Sequence, residues 1–258
     1  MLINRNGKIR YYDEEKLIYK ILYQPQVDSY NQQVIGYEAL LRVYNDDQPI
    51  RTDIFIQACE ASGYIIKLGK WIINKALKDF HHLNELTDQP PILSINISPI
   101  QLIENGFRDY VYHLLRKYNI NPQHIEFEIT ETNSLNFPQE HLNDKVRKLS
   151  NLGINIGLDD FGTGYSKFSH FMNYPVNTIK LDKTFIPLIK HPETKLKLSQ
   201  FIHMLDVCHI RVIAEGVETS SQLRSLQEIG VKNIQGYYYS HPQSLEQLIS
   251  KHNKMLIS

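Results

Sequence analysis

Short apolar runs alternate with longer segments of helical period along nearly all of the chain. The runs are KILYQPQV, QVIGYEALL, ILSINIS, HIEFEIT, INIGLDD, NTIKLD, RVIAEG and NIQGYYY. From the second run onward each gap is long enough for a helix. WIINKALKDFHHL repeats its apolar positions at three and four residues. PIQLIENGFRDYVYHLLRKY opens with Ser98 and Pro99, a frequent helix start. EHLNDKVRKLSNLG and ETSSQLRSLQEIG each close on a glycine, as helices often do.

Strand and helix alternating this regularly imply parallel strands joined by helical crossovers. Eight such runs suggest a closed (β/α)₈ TIM-type barrel, an architecture of ~250 residues that suits a 258-residue chain without a second domain. One connection departs from the pattern. Between Val27 and Val34 lies only DSYNQQ, whereas a parallel crossover needs a dozen or more residues. The barrel is therefore expected to have an antiparallel first strand, paired with the second as a hairpin. No low-complexity linker or shift in composition marks a boundary. Residues 1–258 are accordingly read as one barrel domain, with 1–19 a short leader and 243–258 a C-terminal helix.

Composition narrows the class of partner. With 28 basic and 28 acidic residues the net charge is +0, so nothing calls for a nucleic-acid polymer or an anionic membrane. Hydrophobic residues at 42% and charged residues at 22% are those of a folded soluble protein. Cys59 and Cys208 stand in no paired metal-ligand spacing and are expected as buried, reduced thiols. The start, MLINRNGKIRYYDEEK, has no apolar stretch of the secretory type. No window approaches the ~20 apolar residues of a membrane helix. A cytoplasmic protein is expected.

The candidate chemistry lies on the polar face of the strands, since successive strand residues point to opposite sides. Leu93, Ile95 and Ile97 share one face while Ser94 and Asn96 share the other. Ile125, Phe127 and Ile129 oppose Glu126 and Glu128; Ile179 and Leu181 oppose Thr178 and Lys180. The apolar face should meet the helices, which turns the polar face into the barrel. Near the C-terminal end of successive strands stand Glu38, Asn96, Glu128, Asp159, Lys180, Glu215 and Gln235. That rim is where this fold carries its catalytic groups.

Each of these residues alone has an ordinary explanation, such as a water-facing edge glutamate, a turn-capping aspartate or a satisfied lysine ion pair. Together they do not. Carboxylates converging inside an apolar wall repel, and an unpaired buried charge costs several kcal/mol. One lysine is too little, so a metal cation is expected among them. The donors are oxygens and none of the 11 histidines joins the series, which favours Mg²⁺ or Mn²⁺ over zinc. The donor count suits two ions better than one, an arrangement fitted to in-line attack on a phosphodiester. Adjacent aspartates diverge on a straight strand, so Asp159 and Asp160 can both reach metal only where the strand bends. Gly162 and Gly164 are expected to allow that bend.

From Tyr23 to about Pro242 the chain resembles the EAL domain family of cyclic di-GMP phosphodiesterases. The motifs stand in family order as YQP (Tyr23–Pro25), EALLR (Glu38–Arg42), NIS with QL (Asn96–Leu102), EITE (Glu128–Glu131), DDFGTGYS (Asp159–Ser166), KLD (Lys180–Asp182), AEGVET (Ala214–Thr219) and QGYYYS (Gln235–Ser240). The resemblance implies a barrel with an antiparallel first strand and hydrolysis of cyclic di-GMP to linear pGpG. It implies Glu38, Asn96, Glu128 and Asp159 as ligands of a first metal. Asp159 and Asp160 would hold a second, with Glu215 directly or through water. By the same resemblance Lys180 would steady the attacking water, Glu215 would serve as general base, and Glu131 would anchor the DDFGTGYS loop from below. Gln24, Leu41, Arg42, Asp182 and Gln235 would bind the nucleotide, Arg42 on phosphate. A homodimer formed beside that loop is also implied. No sensor or cyclase module is read ahead of the barrel; if the chain is complete, control is expected through self-association, expression or a separate regulatory protein.

The sequence departs from the family in three places. Val43 stands where an aromatic residue is usual. The segment YNDDQPIRTDIF is shorter and lacks a proline before Phe55, and Lys167 and Phe168 replace a serine and a leucine. These bear on substrate affinity and loop behaviour and leave the acidic series whole. A non-catalytic receptor or protein-binding member would be expected to lack an acidic motif residue, and none is missing. Schiff-base chemistry on Lys180 needs a depressed pKa, whereas flanking carboxylates raise it. A metal-assisted enolisation is opposed by Arg42 and the full motif set. In the run Tyr237–Tyr239, Tyr238 or a neighbour is expected in core packing rather than in base stacking.

Overall fold

A computed structural model describes residues 2–5, 8–11, 16–129, 139–161 and 168–257. Strands β1 (Leu2–Arg5) and β2 (Lys8–Tyr11) pair as a separate antiparallel hairpin. The barrel is closed by β3 (Leu17–Asp28), β4 (Val34–Asn45), β6 (Ile92–Ile97), β7 (Ile125–Ile129), β8 (Asn155–Phe161), β9 (Thr178–Leu181), β10 (Arg211–Ala214) and β11 (Asn233–Ile234), while β5 (Gln48–Ile50) extends the sheet beside β4. The barrel neighbours β4 and β6 through β11 run parallel, β3 is antiparallel to both β4 and β11, and β5 is antiparallel to β4. The fold is the mixed barrel expected from the runs, reversed first strand included. The short DSYNQQ connection closes as a turn: Asp28 N donates to Gln33 O at 2.9 Å, and Asp28 Oδ1 accepts from Tyr30 N at 2.8 Å.

The helices are α1 (Thr52–Ser62), α2 (Ile65–Glu85), α3 (Pro99–Ile103), α4 (Phe107–Lys117), α5 (Gln139–Ser150), α6 (Phe168–Asn173), α7 (Phe185–Leu188), α8 (Pro192–Val207), α9 (Ser220–Glu228) and α10 (Leu245–Ile257). The segment after Ser98 is two helices, not one. Ser98 and Gln101 cap α3 reciprocally, and Gly106, at φ +79°, then turns the chain into α4. Gly153 and Gly230 follow α5 and α9 at φ +94° and +92°, as their positions led one to expect. Among the described residues no helix is long and apolar enough to cross a membrane.

The apolar core is a shell rather than a centre. Leu93, Ile95, Ile97, Ile125, Phe127 and Ile129 are all buried against the helices, and a second apolar cluster covers β9, β10 and β11. The barrel axis is filled instead by polar side chains. At its N-terminal end Glu126, fully buried, accepts from Ser94 Oγ at 3.0 Å, from Arg211 Nη2 at 2.8 Å and from Thr178 Oγ1. Every lone pair so used offsets the cost of taking that carboxylate out of water.

One expectation is corrected and one is met only in part. Cys59 is buried but Cys208 is exposed, because it caps the C-terminus of α8 rather than facing its packed side. In the run NIQGYYY the strand stops at Ile234, since Gly236 passes against the backbone of Val217. A Cβ at Gly236 would lie 2.1 Å from Val217 O. Strand alternation therefore ends before the tyrosines. Tyr237 and Tyr238 are 53% and 41% exposed, and only Tyr239 packs on the core.

Tyr23, on the helix-facing side of β3, donates from its hydroxyl to Asp79 Oδ2 at 2.7 Å, and Lys75 pairs with the same carboxylate. Tyr23→Phe is expected to lower unfolding stability by about 1–3 kcal/mol, because it removes a hydrogen bond to a buried charged group. Urea titration checks this, and an unchanged midpoint would contradict it.

Candidate metal centre and catalytic pocket

Four strands deliver carboxylates to the one ammonium that β9 supplies. Lys180 Nζ lies 3.1 Å from Glu38 Oε2, 2.8 Å from Glu128 Oε2, 3.3 Å from Asp159 Oδ1 and 2.8 Å from Glu215 Oε1. Two further strands complete the ring. Asn96 Nδ2 donates to Glu38 Oε1 at 2.7 Å, and Gln235 Nε2 donates to Glu38 Oε2 at 2.5 Å. The seven residues singled out at successive strand ends thus meet, because β4 and β6 to β11 are parallel and end at one rim. Parity decides which residues arrive there: each of these side chains lies on the strand face opposite the helix-packed one.

The charges do not balance. Four carboxylates share one ammonium, and Asp160 adds a fifth negative group nearby. Lys180 is fully buried, yet its pKa is pushed well above its usual value: burial lowers it, and Asp159, Glu128, Glu215 and Glu38 together outweigh that. Glu128 moves up despite the ammonium, through burial and the repulsion of Glu38, Asp159 and Glu126. Glu215 is pushed up to about 8, chiefly by burial, with the charges of Asp159 and Glu38 adding. Asp160 rises to about 6 by burial and the adjacent Asp159. Glu38, by contrast, is held below its ordinary value, where Lys180, Gln235 and Asn96 overcome burial.

A divalent cation fits this donor set. Glu128 Oε1 is buried with no hydrogen-bond partner among the described residues, and Asp159 Oδ1 has only its 3.3 Å approach to Lys180. Oxygens of Asp159, Asp160 and Glu215 lie within 4.8 Å of one another. Hard oxygen donors of this kind suit Mg²⁺ or Mn²⁺. The two aspartates converge because the strand is irregular at that point. The β8–β9 register shifts between Leu158 and Phe161, and Asp160 takes a left-handed φ of +52°. The bend is therefore in Asp160 itself; Gly162 and Gly164, to which it was ascribed from sequence, lie outside the described residues, as does Glu131. No residue pattern signals a non-glycine residue in that conformation, although aspartate is among those that tolerate it.

Beside the cluster opens a cavity of about 370 Å³, bordered by Gln24, Asp182, Glu215 and Gln235 and further by Lys183, Glu218 and Tyr237. Gln24 donates to Ser240 O at 3.1 Å and accepts from Gln235 Nε2 at 3.2 Å, so both amides are fixed at the pocket wall. Asp182 accepts from Thr184 N at 2.9 Å. Arg42 stands above the rim, its Nη1 donating to Leu41 O at 2.8 Å. Leu41 is not brought to the pocket: its side chain is buried in the core, on the opposite face of β4. Tyr237, set aside from sequence, borders the cavity, its ring stacked on His241 at 3.9 Å.

Residues 16–242 match the EAL domain family. The chain is 36% identical over 227 residues to the signaling protein YkoW of Bacillus subtilis, covering 87% of this chain and 28% of that one. It is 31% identical over 228 residues to the cyclic di-GMP phosphodiesterase NbdA of Pseudomonas aeruginosa, covering 88% of this chain and 29% of that one. It therefore spans about a third of the length of the curated relatives it matches. A solved structure of the PaMucR phosphodiesterase in complex with cyclic di-GMP superposes with a TM-score of 0.79 at 28% identity, covering 91% of this chain and 94% of that one.

Asp160 and Glu215 hold protons in the folded chain at pH values where the unfolded chain, with ordinary values of 3.8 and 4.5, has released them. Folding then takes up protons, so stability contributed by these groups is lost as pH rises. In EDTA the melting temperature is expected to fall between about pH 4.5 and pH 8, through the folded values of about 6 and about 8. Millimolar Mn²⁺ should remove most of that fall. A flat profile in EDTA, or one that Mn²⁺ leaves unchanged, would contradict the cation-deficient cluster.

Proposed function

Because this chain belongs to the EAL domain family, we propose that it hydrolyses one phosphodiester bond of cyclic di-GMP to give linear pGpG, with Mg²⁺ or Mn²⁺ bound. The observation that carries the reading is the convergence of Glu38, Glu128, Asp159 and Glu215 on the single buried ammonium of Lys180. Glu38, Asn96, Glu128 and Asp159 would hold one ion, and Asp159 and Asp160 the other, with Glu215 reaching it directly or through water. Bound there, the cations supply Lewis-acid polarisation of the phosphodiester and lower the pKa of water.

The chain's own groups divide the remaining work. Glu215 has the most exposed side chain of the Lys180 partners, at 20% against 12% for Asp159, 5% for Glu38 and none for Glu128. It is the carboxylate placed to take a proton from water entering from the pocket. Lys180, held charged, offsets the negative charge that gathers as water adds to phosphorus and the bond to one ribose 3′ oxygen breaks. Gln24 and Gln235 present fixed amides to the nucleotide, and Arg42 offers a planar guanidinium to phosphate.

Purified protein with Mg²⁺ or Mn²⁺ is expected to convert cyclic di-GMP to pGpG. Glu38→Ala should reduce the rate by more than about 100-fold, beyond the ~10–100-fold typical of losing an outer-shell partner of a metal. Chromatography of the nucleotide products with each ion in parallel decides it. Binding of cyclic di-GMP without turnover in either ion would make the chain a receptor instead.

A further inference from the structure

Above the catalytic rim the barrel wall continues as the β3–β4 ribbon, flanked at residues 43–45 by β5. β4 pairs with β6 only over Gly36–Ala39, and β3 pairs with β11 only at Val27 and Asp28, yet the β3–β4 ladder runs on to Leu17 opposite Asn45. Residues 17–22 and 40–45 therefore pair with each other but not with β11 or β6. One face of this ribbon is covered. Leu41 and Val43 are buried with Phe55 and Cys59 of α1, and the Tyr19 ring lies 5.9 Å from Phe55 and 5.7 Å from Trp71.

The other face continues the barrel interior. Directly opposed residues of an antiparallel pair point the same way. The pairs on this side are Gln24 with Glu38, Leu22 with Leu40, Lys20 with Arg42, and Ile18 with Tyr44. The first pair belongs to the site already described, so the next three rise in line above it. Leu22 and Leu40 are half-buried, and Lys20 is exposed.

Lys20 and Arg42 are thus like charges placed directly opposite each other, an arrangement that destabilises a sheet. Neither has an acidic partner among the described residues: Lys20 Nζ sits 5.0 Å over the Tyr44 ring, and Arg42 donates to Leu41 O. The cation–π contact restrains the ammonium without neutralising it. The pair stands four residues up the strands from Glu38 and Gln24, about 13 Å at strand rise, less the reach of two long side chains. Between them on the ribbon lies the Leu22–Leu40 pair, a surface for the flat or apolar part of a ligand.

Resting on the phosphodiesterase reading above, we propose that Lys20 acts with Arg42 as a two-cation clamp for the phosphate of the dinucleotide that the carboxylate cluster does not hold. The clamp sets affinity rather than the chemical step. Nothing in the bond-breaking chemistry changes; one phosphate of the bound substrate exchanges solvent for two cationic donors.

The test compares wild type with Lys20→Gln and Lys20→Arg in steady-state hydrolysis of cyclic di-GMP at low and moderate ionic strength. Lys20→Gln is expected to raise KM roughly 10-fold or more, as loss of one charge-assisted contact does, with its effect mainly in KM. The rise should shrink as salt increases, and Lys20→Arg should restore most of the affinity. Because Lys20 is exposed on a ribbon whose other face makes the core contacts, loss of folding is checked by melting temperature and is not expected. A KM within twofold of wild type for Lys20→Gln, or an equal defect in Lys20→Arg, overturns the clamp while leaving the phosphodiesterase reading standing. Wild-type protein that neither binds nor hydrolyses cyclic di-GMP overturns both.

Discussion

The structure turns on one buried ammonium shared by too many carboxylates. Lys180 touches Glu38, Glu128, Asp159 and Glu215 within 3.3 Å, and no other cation among the described residues enters that layer. A single positive charge cannot repay the desolvation of four negative ones in a low-dielectric interior. The strain shows in opposite directions on neighbouring groups. Glu38, which also accepts from Asn96 and Gln235, stays ionised more readily than usual, whereas Glu128 and Glu215 resist ionisation. The interior is built to be completed by something cationic, and its hard oxygen donors say of what kind.

This polar axis also explains the rest of the barrel. With charged groups occupying the centre, the apolar residues of β6 and β7 turn outward and make their core with α2, α4 and α5. A second polar layer, Glu126 with Ser94, Thr178 and Arg211, fills the axis beneath the site. Gln26 joins the two layers by donating to Gln235 Oε1 at 3.1 Å and to Ser94 Oγ at 3.5 Å. Stability therefore rests on the shell, and the axis is free to carry groups chosen for chemistry. The reversed first strand adds the last element. Because β3 returns antiparallel to β4, the pair extends as a ribbon beyond the residues that bond it to β11 and β6.

Much of the site was legible from the letters, for a definite reason. Period-two alternation separates the helix face from the interior face without any coordinates, and parallel strands bring their C-terminal ends to one rim. Glu38, Asn96, Glu128, Asp159, Lys180, Glu215 and Gln235 follow from those two rules. The rules fail where the strand itself fails. Tyr237 and Tyr238 lie beyond the end of β11, so alternation says nothing about them, and they prove exposed. Leu41 sits inside the EALLR motif, yet parity turns its side chain to the core. Arg211 begins a strand, where no preceding residue sets the phase, and its pairing with Glu126 across the barrel was invisible.

The chain by itself determined the order of strands and helices, the reversal at DSYNQQ and the faces on which the charged residues stand, because these depend on local periodicity and connection length. Tertiary structure alone decided how many carboxylates share Lys180, that Asp160 bends β8 through its own left-handed backbone, and that Lys20 faces Arg42. Those outcomes arise from register and closure between segments far apart in sequence, and a pattern read along one strand carries no information about its partner.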